Sequence, residues 1–451
     1  MFFRRCLLHT RLVRRVLQSR QYAQSSHVVP SVTPVEKILL DTIKVNGPVS
    51  FATYMQLCLS HPTEGYYMNP ANAVIGARGD FITSPEISQV FGELLGIWLL
   101  SHYLTTGAKH DIQLVELGPG RGTLMDDILR TLSQLPHSRT SVKHVHLVES
   151  SPALRSVQQK KLQSWDGKNN LKIHWHDSID DIPTADGIYT MLVAHEFFDA
   201  LPFHLIEKTH QGWKEVLITS TPDPAAKRIL RPSDVLTSSL DLDRSSSSTA
   251  TSKTRFRSVL APDPSPVSTL LGASSPRFGS LPIGARIEVS ATSFQAARKL
   301  GMLISQGAGG SALVVDYGAN HAVGNSFRAF KKHALVDPFE FPGQADLTAN
   351  VDFAYLAEAL AGTAKVHGPL SQRAFLLHMG IGTRVGALQR AASTSSKESG
   401  DALAAAAARL VDAAGMGGEY KVMGVTSGGG VEKEKEKEEG AWPFIAGEIE
   451  R

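Results

Sequence analysis

The chain has 451 residues and a formal net charge of +3, with 42% hydrophobic and 20% charged residues. That is the balance of a soluble globular protein, with enough chain for one enlarged α/β domain or for two domains. No run of about eighteen apolar residues is present, which excludes a spanning helix; no Lys/Arg stripe with interleaved aromatics supports nucleic-acid binding; and the only cysteines, Cys6 and Cys58, exclude a cysteine-rich zinc site.

The segment from Met1 to Ser26 carries Arg4, Arg5, Arg11, Arg14, Arg15 and Arg20, and the first acid is Glu36. Leu7, Leu8, Leu12, Val13, Val16 and Leu17 can line one side of a helix. An Arg-rich, acid-free, amphipathic start is the signature of a mitochondrial presequence. Arg20-Gln-Tyr-Ala resembles a matrix-peptidase site, so residues 1–22 are expected to be cut off and the remainder to work in the matrix, with Cys58 as its one thiol.

Residues 34–107 read as a helical N-terminal region. Periodicity of 3.6 predicts a helix over 35–43, Pro48-Val-Ser-Phe starts another over 52–59, and 86–103 reads as one long apolar helix. The loop before it, Gly76-Ala-Arg-Gly-Asp-Phe-Ile-Thr-Ser-Pro-Glu, predicts Ser84 as a cap with Pro85 at the first helical position. Its glycines and hydroxyls equally suit a cover for a cofactor.

Residues 112–122 then read Ile-Gln-Leu-Val-Glu-Leu-Gly-Pro-Gly-Arg-Gly. An apolar strand ends on Glu116; Gly118, Gly120 and Gly122 make a tight turn; a helix follows over 122–135. This is how a doubly wound sheet lets its backbone approach a nucleoside-like ligand. A second strand, 144–149, ends in Glu149, whose carboxylate can accept from ribose hydroxyls. The spacing G-x-G-x-G is not the dinucleotide G-x-G-x-x-G, and Asp126 and Asp127 would repel a pyrophosphate. S-adenosylmethionine carries no phosphate, and its sulfonium and ammonium favour nearby carboxylates such as Glu116. The residues lean towards a methyltransferase rather than a dehydrogenase.

Further strands are predicted at 171–176, 188–194 and 214–219, with a helix at 152–164, and alternating βα units predict a parallel sheet. His174 and His176 share a strand face without an evident third ligand, so no metal site is assigned. After the fourth apolar run comes Val193-Ala-His-Glu-Phe-Phe-Asp-Ala-Leu-Pro, where Glu196 and Asp199 are placed to enter the crevice beyond the strand ends. A carboxylate pair suits a guanidinium, which it can meet bidentately. Acids at a helix N-terminus explain the pair equally well.

Residues 221–280 are rich in Ser, Pro and Thr and read as a mostly disordered insertion. Strands at 287–289 and 312–318 predict a return to the same sheet. A polar loop with His333, Asp337, Asp346 and Asp352 is suited to closing over a substrate, or to supplying turns and caps. Residues 385–440 read as an insertion, with a surface helix around Ala404–Ala408 and a solvated Glu/Lys linker, before a tail at 441–451.

Taken together these segments resemble the MidA-like mitochondrial protein arginine methyltransferases, a family also described as complex I assembly factors. The resemblance rests on Gly79-Asp-Phe-Ile-Thr-Ser-Pro-Glu-Ile-Ser-Gln-Val-Phe-Gly-Glu-Leu-Leu-Gly, Glu116-Leu-Gly-Pro-Gly-Arg-Gly, Glu196-Phe-Phe-Asp-Ala-Leu-Pro, Val315-Asp-Tyr-Gly and Ala345-Asp-Leu-Thr-Ala-Asn-Val-Asp-Phe, with a trace at Gly418-Glu-Tyr-Lys-Val-Met. It implies a class I, Rossmann-like S-adenosylmethionine-dependent methyltransferase domain over 108–382. It also implies a type II activity: symmetric dimethylation of an arginine in the forty-nine-kilodalton-type core subunit of complex I during assembly. On the resemblance Gly118, Gly120 and Glu149 contact the cofactor, Asp177 holds the adenine amino group and Glu196 binds the guanidinium. In the family motif Asn commonly stands where this chain has His195, which leaves that residue's role open, since imidazole can donate a hydrogen bond and can titrate near matrix pH. Two other readings stay open: a non-catalytic assembly scaffold on the same fold, and a small-molecule methyltransferase.

Overall fold

The computed structural model describes residues 32–72, 82–221, 254–392, 397–428 and 441–444. The expected presequence, most of the glycine loop at 76–86, much of the Ser/Pro/Thr-rich insertion and the Glu/Lys run lie outside the described residues.

The chain enters through α1 (Pro34–Asn46), whose Thr33 and Glu36 form a capping box, and whose Val35, Leu39 and Ile43 recur at four-residue spacing on the buried side. After β1 (Val49–Ser50) comes α2 (Phe51–Ser60), starting where Pro48-Val-Ser-Phe predicts a helix start, with Ser50 as its cap. The long apolar helix is broken in two, α3 (Ser84–Ile87) and α4 (Gln89–Thr105). Ser84 is not the cap. Thr83 occupies that position, Ser84 Oγ instead donates to Gln372 Oε1 at 3.4 Å, and Ser88 caps α4 by accepting from the Val90 N–H.

Alternation follows: β2 (Asp111–Leu117), α5 (Thr123–Gln134), β3 (Val142–Val148), α6 (Pro152–Leu162), β4 (Lys172–His176) and β5 (Ile188–His195). Then come β6 (His204–Thr209), β7 (Gly212–Ser220), β8 (Phe256–Leu260), α7 (Pro266–Gly272), α8 (Pro276–Gly279), β9 (Arg286–Val289), α9 (Ala291–Ile304) and β10 (Gly310–Ala319). The remainder is β11 (Arg328–Lys331), β12 (Ala334–Val336), β13 (Asp346–Thr348), β14 (Val351–Asp352), α10 (Phe353–Leu360), β15 (Ala364–Ser371), α11 (Gln372–His378), α12 (Ile381–Ala392), α13 (Lys397–Leu410), α14 (Met416–Glu419) and β16 (Tyr420–Ser427).

Among the described residues the central sheet has eight strands in the order β15-β16-β10-β5-β2-β3-β4, with β14 beside β10. From β10 to β4 the strands are parallel, and β16 is antiparallel to both its neighbours. Side chains alternate across it. Ile112 and Leu114, Met191 and Val193, Leu313 and Val315 pack with α4 and α5 on one face; Val115 and Leu117, Leu192 and Ala194, Ala312 and Val314 pack with α9 and α10 on the other. Burial on both faces is why these strands read as unbroken apolar runs. At the α4–α5 crossing a Cβ on Gly92 would stand 2.6 Å from the Asp127 Cβ, so only glycine permits that approach.

Several expectations are corrected. The strands predicted at 214–219 and 287–289 form, as β7 and β9, but in a second sheet, β1-β7-β6-β9 with β8 on β7, whose pairings are antiparallel. An apolar run specifies a strand but not the sheet that takes it. Residues 254–280, expected within a disordered insertion, supply β8, α7 and α8, with Phe256, Leu271 and Phe278 buried. The helix expected on the surface near Ala404 is α13, and its Ala407 and Leu410 are buried against Ile381 and Val385. Residues 420–427, expected to lie in the insertion at 385–440, are β16, inside the central sheet. The tail also contributes: Phe444 is buried and the Trp98 indole N–H donates to the Trp442 carbonyl at 2.8 Å. Among the described residues no helix is long and apolar enough to cross a membrane, and no group of three or more His, Cys, Asp or Glu side chains is placed to hold a metal ion.

Candidate cofactor and substrate site

The strand order reverses between β2 and β5. β2 continues to β3 on one side, whereas β5 continues to β10 on the other, and such a switch point opens a crevice beyond the strand C-termini. The register places Leu117 opposite Ala194 and Val315 opposite His195, so the residues just past β2, β5 and β10 come out side by side. One cavity of about 410 Å³ lies there, and the strand order lays its walls out in sequence: Asp177 after β4, Glu149 after β3, Gly118 after β2, Glu196 after β5 and Tyr317 on β10.

At the glycine turn Gly118 has φ +65°, Gly120 +52° and Gly122 +80°, a region that L side chains rarely adopt. Gly118 and Gly120 line the cavity. Gly122, expected to contact the cofactor, does not line this cavity: it is the cap position of α5 and lies against Gln158 and Leu162, where it closes the turn. Glu116 is 2% exposed; burial pushes its carboxyl up to about 8, and its Oε2 has no hydrogen-bond partner. Glu149 is held from both sides. Its Oε1 accepts from the Ser151 N–H at 2.8 Å and its Oε2 from Gln158 Nε2 at 3.2 Å, while burial still raises its pKa. Gln158 also donates to the Gly120 carbonyl at 2.8 Å, which ties the glycine turn to the second acid. Asp177 stands at the cavity margin, largely exposed and paired with Arg155 at 2.6 Å. The acids of α5 face away to other partners: Asp126 accepts from the Trp165 indole at 2.7 Å and Asp127 pairs with Arg130 at 2.7 Å.

Beyond β5 the wall turns acidic. Glu196 has φ +50°, and its N–H is bonded to the Val315 carbonyl at 3.0 Å. Its Oε1 accepts from the Tyr420 hydroxyl at 2.5 Å. Asp199 Oδ2 accepts from Thr348 Oγ1 at 2.6 Å, and its buried Oδ1 has no partner. Asp346 also lines the cavity and accepts from the Tyr67 hydroxyl at 2.7 Å. Burial raises the Glu196 carboxyl well above its ordinary value, and the nearby charges of Asp199 and Asp346 raise it further. Asp199 is raised by burial, against the Thr348 bond and the Arg328 charge. His195, whose role the sequence leaves open, is buried, and burial pushes its pKa down to about 3. It is therefore neutral near pH 7, and of the two possibilities the sequence left open, titration near matrix pH is the one its burial disfavours.

The polar loop after β10 divides its residues. Asp346 and Thr348 reach the cavity, Asp352 caps α10 and pairs with Arg277 at 3.0 Å, and His333 sits in the turn between β11 and β12. The histidines of β3 and β4 stand in pairs, His146 with His176 at 2.9 Å and His144 with His174 at 3.4 Å. Tyr67, Asp316, Tyr317, Thr348 and Tyr420 had no assigned role in the sequence. Asp316, Tyr317 and Thr348 lie inside segments that carry the resemblance, and Tyr420 lies in its trace at Gly418-Glu-Tyr-Lys-Val-Met, so the motifs marked them without saying what they touch.

The pattern of glycine turn, paired acids and switch-point crevice can be set beside known proteins. The sequence model of the family described as "Putative S-adenosyl-L-methionine-dependent methyltransferase" matches residues 94–370. The chain belongs to this family. Among curated relatives, the mitochondrial protein arginine methyltransferase NDUFAF7 of Danio rerio is 38% identical over 393 residues, covering 83% of this chain and 82% of its own length. The protein of the same name from Rattus norvegicus is 37% identical over 380 residues, covering 80% and 77%. A crystal structure from Burkholderia thailandensis, solved with S-adenosyl-homocysteine bound, superposes with a TM-score of 0.65 at 22% identity and covers 87% of this chain and 91% of its own. The fold is that of a class I methyltransferase, and the cofactor is S-adenosyl-L-methionine. The residues present fit that group: Glu116 offers an unpartnered buried carboxylate oxygen to a cation, the Gly118–Gly120 turn leaves backbone open to the cavity, and Glu149 stands one strand further out for hydroxyls.

Proposed function

We propose that the chain methylates arginine in a protein, as a type II enzyme that forms symmetric dimethylarginine in the forty-nine-kilodalton-type core subunit of mitochondrial complex I, in the matrix, as part of assembly. The relatives' names support the arginine and the mitochondrion. The observation that carries the reading is the acidic end of the cavity, where the Asp199 Oδ1 is buried without a partner beside Glu196. A buried carboxylate oxygen left unpaired is costly unless a ligand satisfies it. A guanidinium has five N–H donors in a planar fork and keeps its charge, so it answers two convergent carboxylates better than an ammonium does.

S-adenosyl-L-methionine supplies, when bound, a methyl group on a cationic sulfur. Glu116, Gly118, Gly120, Glu149 and Asp177 are the residues proposed to hold it. Glu196 and Asp199 orient one guanidinium nitrogen towards the methyl group and stabilise the positive charge as it spreads. The nitrogen–carbon bond forms as the carbon–sulfur bond breaks with its electron pair on sulfur, and the nitrogen loses a proton to water. The test is incubation of the full chain with labelled S-adenosyl-L-methionine and that core subunit in recombinant form, followed by mass spectrometry of the peptides. Symmetric dimethylarginine at one site, absent with Glu196→Gln, is expected. A protein that binds the cofactor but leaves every arginine of that subunit unmodified would overturn the proposal.

A further inference from the structure

β16 enters the central sheet antiparallel, so its first residue, not its last, lies at the edge where the parallel strands end. That residue is Tyr420, directly across from Tyr317 on β10. It comes from beyond the 94–370 stretch that the family matches. We propose that Tyr420 is a positioning residue for methyl transfer: its hydroxyl fixes one carboxylate oxygen of Glu196 and leaves the other to receive the substrate guanidinium. The inference rests on the reading of Glu196 as a substrate-binding carboxylate.

The geometry leaves the phenol little freedom. Tyr420 is fully buried, its ring centroid lies 4.1 Å from that of Tyr317, and the His195 ring is stacked parallel to it at 6.2 Å. The hydroxyl donates to Glu196 Oε1 at 2.5 Å. At the other end of the side chain the Glu196 backbone is pinned to Val315, with φ +50°. The carboxylate is therefore held at both ends, and Oε2 accepts no hydrogen bond from the described residues. A phenylalanine would fill the same volume in the sheet; the hydroxyl is what the contact with Glu196 requires.

The charged and titratable groups around Glu196 are His195 beside it, Asp199 after it, Asp316 and Tyr317 on β10, Asp346 on β13 and Tyr420 on β16. Arg328 on β11 acts on this set through Asp199. Most of these neighbours are acids that disfavour a second negative charge. The Tyr420 bond is the hydrogen bond that opposes them at Glu196.

Tyr420→Phe in the full chain is the direct test, with Glu196→Gln as reference. Carbon-13 label in the glutamate carboxyls reports the Glu196 titration, and its signal is the one lost in Glu196→Gln. The titration should move up by about one pH unit or more in Tyr420→Phe. Affinity for S-adenosyl-L-methionine should stay within about twofold, while kcat on the complex I core subunit near neutral pH falls about tenfold and recovers as pH rises. The wild-type protein offers a second measurement that does not depend on the variant folding. A charge-assisted bond predicts a downfield, slowly exchanging tyrosine hydroxyl proton that shifts in Glu196→Gln. An unmoved Glu196 titration with an unchanged pH profile, or the absence of that proton resonance, would overturn the role of Tyr420. Full activity of Glu196→Gln would instead overturn the reading of Glu196 itself, so the two failures are distinguishable.

Discussion

Asp316 holds the backbone of Asp199: its Oδ2 accepts from the Asp199 N–H at 3.2 Å and from the Phe198 N–H at 2.9 Å. Its Oδ1 takes the Tyr317 N–H at 2.9 Å. One fully buried carboxylate thus ties the end of β10 to the turn that carries Glu196 and Asp199. Burial and the nearby carboxylates raise its pKa, and the N–H bonds oppose them.

Replacing Asp316 by Asn keeps the shape but turns an NH₂ group towards backbone donors. We expect a loss of about 1–3 kcal/mol in stability, the cost of leaving a buried backbone donor unsatisfied. Methyl transfer should fall further than cofactor affinity, because the substrate acids move while the glycine turn stays. Urea unfolding and cofactor calorimetry on the same preparation check both. An Asp316→Asn protein with full turnover would show that the turn after Glu196 does not need this anchor.

With Glu116 holding the cofactor as proposed, cofactor binding is expected to depend on pH. Burial lifts its carboxyl from the ordinary 4.5 to about 8, so the empty pocket holds it mainly protonated at neutral pH. A cation nearby favours the ionised form, so binding expels a proton. Affinity for S-adenosyl-L-methionine should rise as pH rises through neutrality and level off above about 8. The same shift means that the folded empty protein binds more protons than the unfolded chain between those two values, so the contribution of Glu116 to stability falls as pH rises through that window. Calorimetry in two buffers of different ionisation enthalpy should register proton release in the wild type and none in Glu116→Gln. Equal release in both would exclude Glu116 as the source.

Gly118→Ala tests the turn. The added Cβ would sit at φ +65° and 3.1 Å from the Phe197 ring. A left-handed alanine costs roughly 1–2 kcal/mol, and the crowded Phe197 lies between the cofactor turn and Glu196. Weaker cofactor binding with a native circular dichroism spectrum is expected. Unchanged affinity would mean that the turn relaxes without consequence.

Leu410→Ala separates a covering helix from a tethered insertion. Leu410 is fully buried against the sheet side that α4 and α5 cover. Loss of about 2–5 kcal/mol is expected in denaturant unfolding, as for other buried leucines. A change under about 0.5 kcal/mol would mean that α13 packs too loosely to count as core.

The ligand-proximal half of the fold was legible in the chain because its signals are local. Residues 112–122 specify a strand, a turn needing positive φ and a helix start within a few residues of one another, and Glu149 ends the next strand. The paired acids at Glu196 and Asp199 were legible for the same reason. Gly122 shares the spacing of Gly118 and Gly120, but its position, capping α5 against α6, sets it away from the cavity they line. What the sequence could not reveal depends on contacts between distant segments. Membership of β7 and β9 in the second sheet rather than the parallel one depends on pairing partners, not on their own apolar pattern. Residues 254–280 look polar along the chain, yet Phe256, Leu271 and Phe278 are buried and β8 pairs with β7 of the small sheet. The neutral state of His195 follows from its burial, a quantity that no residue type declares. The bond from Tyr420 to Glu196 spans 224 positions and exists only because β16 runs against its neighbours. Local chemistry determined where a cofactor can lie; strand direction and pairing decided which side chains meet whatever is brought to it.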